Sequence, residues 1–179
     1  MTHRTLAAAF LPLLLVGCGS IPEKSEINGY TIQTKVIASQ PGVAIRKTVK
    51  MADLAAAFGE HLDSTFAYVG QHGGKVAGQP FAIYHRIAAD EVDVAFGCPI
   101  ELPIAGDANV KLITLPGGNV VVTTHHGAYQ ELGKAHAAMD TWFKVYGADR
   151  NGPPWEVYVD DPTTVESEKV RTQVFYPIK

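Results

Sequence analysis

Gly152-Pro153-Pro154-Trp155-Glu156-Val157-Tyr158-Val159-Asp160-Asp161-Pro162 is the stretch whose reading decides the fold. The paired prolines end whatever precedes them, because proline fixes its own φ and restricts the residue before it. Trp155, Val157 and Val159 then alternate with Glu156 and Tyr158, the two-residue period of a β-strand. Asp160-Asp161-Pro162 is a turn signal. One face of the strand therefore carries a carboxylate two residues from a phenol, while Trp155 points to the other face.

The stretch has an earlier copy. Gly78-Gln79-Pro80-Phe81-Ala82-Ile83-Tyr84 aligns with Gly152 to Tyr158, and Val92 to Ile100 aligns without a gap with Val170 to Ile178. Upstream, Val43 to Val49 matches Val120 to His126 as a strand entering a helix. Each half reads as strand, helix, strand, strand. Helical periodicity supports both helices. Leu54, Phe58, Leu62, Phe66 and Val69 form one apolar stripe, and Leu132, Ala135, Met139, Trp142 or Phe143, and Tyr146 form the other. Asp53 and Glu131 sit in the first turns, where negative charge complements the helix dipole, and Gly147 ends the second helix. Strands at 31–38 and 110–115 precede the units, with Pro116-Gly117-Gly118-Asn119 read as a hairpin turn. The expected class is α+β: two tandem repeats forming a curved, mostly antiparallel sheet, with two helices on one face and a central cleft.

Residues 1–17 read as a leader. His3 and Arg4 precede an uncharged apolar run, Leu6 to Val16, too short to span a bilayer. Leu15-Val16-Gly17-Cys18 looks like the bacterial lipobox, which makes Cys18 the acylated first residue of the mature chain. Residues 18–29 then form a lipid-anchored tether, and Gly19-Ser20 points to the outer membrane. The expected location is exported, periplasm-facing and lipid-anchored. Cys98 is left as the single other thiol and reads as a buried, inert core residue.

Residues 30–179 have the length of one domain. The whole chain carries 15 basic and 18 acidic residues, a net charge of −3. No basic cluster stands out, so no nucleic-acid footprint is expected. Of the seven histidines, His125 and His126 would point to opposite faces of a strand. His61, His72, His85 and His136 show no paired ligand spacing. These read as structural or surface histidines, and neither a metal nor another cofactor is expected.

Five motifs occur in order: Gly78-Gln79-Pro80-Phe81 with Tyr84; Gly97-Cys98-Pro99-Ile100; Leu115-Pro116-Gly117-Gly118; His126-Gly127-Ala128-Tyr129; and Trp155-Glu156-Val157-Tyr158 through Asp161-Pro162 to Thr172 and Pro177-Ile178. In order and spacing the chain from about Tyr30 to Lys179 resembles the GyrI-like domain, the effector-binding domain of AraC-type and multidrug-responsive regulators. Ala128 departs from it, standing where the family more often has proline. The resemblance implies two units facing each other across a cleft that takes small, often cationic, aromatic molecules. It also implies Glu156 as the acidic group and Tyr84, Tyr129, Trp155 and Tyr158 as ring walls. Trp142, on the second helix stripe, is a further candidate ring. Both tryptophans also read as core residues, Trp155 because it points away from Glu156.

Elementary physics agrees with that site. A carboxylate among aromatic rings is poorly solvated and either takes up a proton or seeks a cation, and ring faces attract the same cation. The repeat adds that Glu156 is equivalent to Ala82, whereas Tyr158 matches Tyr84. The leading expectation is a lipid-anchored envelope protein that binds a small amphipathic or cationic aromatic molecule. One alternative is a hydrolase of strained-ring or other electrophilic compounds, with Glu156 as base or nucleophile and Tyr84 or Tyr158 as proton donor. The other is an envelope protein-interaction module. Transcriptional control is not expected, because an export signal stands where the regulators carry their DNA-binding region.

Overall fold

The computed structural model describes residues 21–179. The leader and Cys18 lie outside the described residues. Eleven main elements follow in order: β1 (Lys24–Ile27), β2 (Tyr30–Ile37), β3 (Gln40–Lys50), α1 (Leu54–Gln71), β4 (Phe81–Ile87), β5 (Glu91–Pro99), β6 (Lys111–Leu115), β7 (Gly118–His126), α2 (Leu132–Tyr146), β8 (Trp155–Tyr158) and β9 (Arg171–Pro177). Residues 24–27, read from their polarity as tether, form β1 and pair antiparallel with β2.

The strands form one sheet in the order β1-β2-β7-β9-β8-β4-β5-β3-β6, every neighbouring pair antiparallel. Leaving out β1, this order is a palindrome under the sequence repeat. β2 corresponds to β6, β3 to β7, β4 to β8 and β5 to β9. The two halves meet at the β4–β8 pair, where Phe81 lies opposite Val157, Ala82 opposite Glu156, and Ile83 opposite Trp155. Two symmetry-related hydrogen bonds extend that seam, from Tyr84 N to the Pro154 carbonyl and from Tyr158 N to the Pro80 carbonyl, both 3.0 Å. The pseudo-twofold axis thus passes between Ala82 and Glu156.

The first strand of each unit is exchanged. β2 pairs with β7 of the second unit, and β6 with β3 of the first. The turn at Pro116-Gly117 is therefore not a hairpin: it joins β6 and β7, which lie at separate places in the sheet. It passes the corresponding linker Ala38-Ser39 so closely that a Cβ on Gly117 would stand 2.4 Å from Ser39 N. Only a glycine admits that approach.

Both helices lie on one face. There Ala82, Val94, Phe96, Val121, Val174 and Tyr158 pack with Leu62 of α1 and with Ala135, Met139 and Trp142 of α2. The alternate residues of the central strands, Phe81, Ile83, Ala95, Val120 and Trp155, form a separate apolar layer on the opposite face. The stripe on α1 differs from the one read in the sequence. Thr65, not Phe66, is buried, and Phe66 is exposed, because the buried arc runs through Leu62, Thr65, Tyr68 and Val69. Gly147 ends α2 as expected, with a left-handed φ of 64° and its N–H bonded to the Phe143 carbonyl. Cys98 is fully buried, and burial pushes its thiol above the ordinary range.

Candidate functional site

The pleat of β8 sends Glu156 and Tyr158 to the helix face, and the seam register brings Tyr84 of β4 beside them. Glu156 is 3% exposed. Its Oε2 accepts hydrogen bonds from Tyr158 OH at 2.5 Å and Tyr84 OH at 2.7 Å. The two hydroxyls stand 3.4 Å apart. Its Oε1 faces His136 Nε2 at 2.8 Å, and His136 Nδ1 in turn lies 2.8 Å from Tyr176 OH. Against an ionised Glu156, Nε2 is the nitrogen that carries a proton. Nδ1 accepts from Tyr176 when the ring is neutral and donates to it when the ring is charged.

His136 was read as structural or surface. It sits one turn after Leu132, beside Ala135 on the buried arc of α2, and α2 lays it over the sheet. Its side chain keeps 23% of its exposure, so it joins a buried carboxylate to solvent. Among the described residues no lysine or arginine pairs with Glu156; His136 is its one basic partner.

Burial raises the Tyr84 hydroxyl well above 10, with the negative charge of Glu156 adding to it. Tyr158 is raised well above 10 as well, by burial first, then by Tyr84 and Glu156. Tyr176 is pushed up to about 12, chiefly by burial and then by the Asp140 carboxylate. These phenols hold their protons, and Tyr84 and Tyr158 donate theirs to Glu156.

Further rings pack against Tyr158. Phe58 of α1 meets the Tyr158 ring edge-on at 4.2 Å between centroids, Tyr129 meets it at 5.3 Å, and the Phe58 and Tyr129 rings stand 6.4 Å apart. Tyr129 OH donates to the Asp160 carbonyl at 3.3 Å. Thr172, opposite Tyr158 in β9, buries a hydroxyl with no hydrogen-bond partner. Phe58 is a ring the sequence reading placed only in the α1 stripe.

Glu156, Tyr84, Tyr158 and Tyr129 thus stand together. Trp155 does not join them. It lies in the opposite-face layer, stacked on Phe175 at 5.0 Å with the rings 3° from parallel. Trp142 is buried in the α2 core against Phe143 and Tyr146. Two concavities open elsewhere, neither of them lined by Glu156: one of about 270 Å³ lined by Phe81, Trp155 and Phe175, and one of about 540 Å³ along β2 and β7.

A family model described as the GyrI-like small molecule binding domain matches residues 31–179. No curated protein matches the chain. Among solved structures, EcmrR in its DNA complex superposes with a TM-score of 0.75 at 19% identity over 84% of this chain, which spans 57% of the EcmrR chain. The EcmrR C-terminal domain alone gives the same score, with 98% of that domain covered. SAV2435 bound to tetraphenylphosphonium has a TM-score of 0.59 at 19% identity, over 83% of this chain and 93% of its own. A hydrolase from Listeria innocua has a TM-score of 0.57 at 14% identity, over 83% and 91%. At such identities the likeness is one of fold.

Proposed function

This chain belongs to the GyrI-like small molecule binding domain family, and on that premise we propose that it binds a lipophilic aromatic cation with Glu156 as counter-charge. One observation carries the reading: a buried carboxylate bonded to two tyrosine hydroxyls, with no lysine or arginine among the described residues to neutralise it. Burying a carboxylate costs several kcal/mol even after relaxation. The three donors offset part of that cost. A cation about 5 Å from the carboxylate gains about 3 kcal/mol at an effective dielectric constant of 20, and each ring face adds about 0.5–2 kcal/mol. Tetraphenylphosphonium, the ligand of the SAV2435 structure, has the chemistry this site suits.

The seam explains why one half carries the acid. An acid at position 82 would face Glu156 directly across an antiparallel pair, where side chains are about 5 Å apart and like charges repel. Ala82 leaves the space to the ligand. Entry requires Phe58 to leave the Tyr158 edge, so α1 is the element that must give.

A hydrolase is the second reading, favoured by the two tyrosine hydroxyls within hydrogen-bond reach of Glu156. The raised phenols weigh against it, because a proton held that firmly is poorly suited to transfer near neutral pH. For an interaction module, Val36, Ile87, Leu102 and Val145 are among the exposed apolar residues, each on a different element or loop. We also propose that the chain is exported and anchored through Cys18; the lipobox-like Leu15-Val16-Gly17-Cys18 supports this.

The test is a structure, by crystallography or NMR, with tetraphenylphosphonium bound. The cation is expected within about 6 Å of the Tyr84 and Tyr158 rings and beside Glu156, with Phe58 displaced. Occupancy of the Trp155–Phe175 concavity instead would overturn the assignment.

A further inference from the structure

We infer that His136 is a tethered competitor for the cation site, so that binding a lipophilic cation expels a proton from its imidazole. The inference rests on the proposed role of Glu156 and names what regulates that site. His136 Nε2 occupies Glu156 Oε1 at 2.8 Å, on the one carboxylate oxygen that the tyrosines leave free. A protonated His136 already supplies the positive charge the carboxylate seeks. A second cation brought into the same space meets that charge at short range and with little solvent between them.

The surroundings let His136 carry either charge. Nδ1 faces a tyrosine hydroxyl, which accepts from an imidazolium and donates to a neutral ring, so no hydrogen bond is lost on titration. The groups packed about it are Glu156 and Tyr158 of β8, Tyr84 of β4, with its ring centroid at 6.3 Å, and Tyr176 of β9. One turn along α2, Asp140 is paired with Arg150, whose guanidinium lies over the Tyr176 ring. α1 brings Phe58 against Tyr158 and His61 against Phe96. The single imidazole of this set that touches Glu156 is His136, and its side chain is partly open to solvent.

Proton balance follows directly. With His136 charged, the cation enters, the carboxylate transfers its pairing to it, and the imidazolium releases one proton to solvent while staying bonded to Tyr176. Affinity should then rise by up to about tenfold per pH unit while His136 is protonated in the free protein, and level off above its titration. A permanently charged ligand fits this site best, because it cannot return the proton by deprotonating itself.

The experiment measures the tetraphenylphosphonium dissociation constant from pH 5 to pH 8 for the wild type, His136→Gln and His136→Lys. His136→Gln can still donate to Glu156 and is expected to bind with less than about twofold variation across the range in which the wild type changes by about tenfold or more. His136→Lys fixes the positive charge and is expected to bind weakly at every pH. Equal pH slopes in the wild type and His136→Gln would place the titration elsewhere and overturn the inference while leaving the cation site standing. Failure of all three proteins to bind at any pH would overturn the proposed function itself. Calorimetry on the wild type near pH 6, in two buffers of different ionisation enthalpy, gives a reading that needs no variant. Proton release on binding supports the inference, and none refutes it.

Discussion

Two substitutions at Glu156 should separate its hydrogen bonding from its charge. In Glu156→Gln the amide carbonyl keeps both tyrosine donors, which share one oxygen in the native site. The amide N–H then faces His136, whose Nε2 accepts once its proton moves to Nδ1 and points at Tyr176. Every partner stays satisfied. Bonds to a charged acceptor, worth about 1.5–3 kcal/mol each, become neutral ones worth about 0.5–1.5. That loss is countered by removing a carboxylate whose burial costs several kcal/mol. The net change should lie within about 1 kcal/mol of zero, the balance expected where charge is kept for binding and not for stability. Glu156→Leu conserves bulk but strands two phenols and an imidazole, at about 1–3 kcal/mol for each buried group left unpaired. Allowing for the relieved desolvation, it should cost about 2–5 kcal/mol, or roughly 5–15 °C in Tm for a domain of this length. Urea unfolding of the three proteins, compared at equal m-value, measures this. Equal stability of the Leu and Gln variants would show that Tyr84, Tyr158 and His136 do not depend on Glu156, and the site as described would not exist.

Four further outcomes can be checked. Tyr158→Phe removes the 2.5 Å bond to Glu156 and should destabilise by about 1.5–3 kcal/mol, read as a lower denaturation midpoint. Gly117→Ala places a Cβ against Ser39 backbone and should cost about 1–3 kcal/mol through backbone shifts, with cation affinity unchanged. In alkaline titration followed by tyrosinate absorbance, the raised Tyr84, Tyr158 and Tyr176 should stay protonated past pH 10. Their folded values lie above the unfolded one. The stability they lend is full below about pH 10 and declines as pH climbs through the folded values, about 12 for Tyr176. Cys18→Ser should abolish acyl labelling and move the protein from the membrane to the soluble fraction; retention of the label would sink the anchoring proposal.

Much of this architecture was legible because it is written twice. Aligning Gly78 to Tyr84 with Gly152 to Tyr158 predicts two like units, and the register at Ala82 and Glu156 shows those copies meeting face to face. Pairing partners were not legible. Periodicity marks a strand but not its neighbour, so the Pro116-Gly117 turn read as a hairpin, although β6 and β7 go to different places. On α1, Phe66 and Thr65 stand side by side in the chain, and only packing decides which turns inward. In the site, strand alternation already separated Trp155 from Glu156. His136 escaped because its partners lie 20 and 40 residues further along the chain, on two other elements. The available signal was a titratable ring on the buried arc of an amphipathic helix, between Ala135 and Met139.

The central claim is that the Glu156 charge holds the ligand. Its most direct test is the tetraphenylphosphonium dissociation constant of the wild type against Glu156→Gln, a variant whose fold the hydrogen-bond inventory predicts to be intact. Loss of about 3 kcal/mol, roughly a hundredfold, is the predicted result. An affinity for the Gln variant within about twofold of the wild type, a difference of about 0.4 kcal/mol, would contradict it.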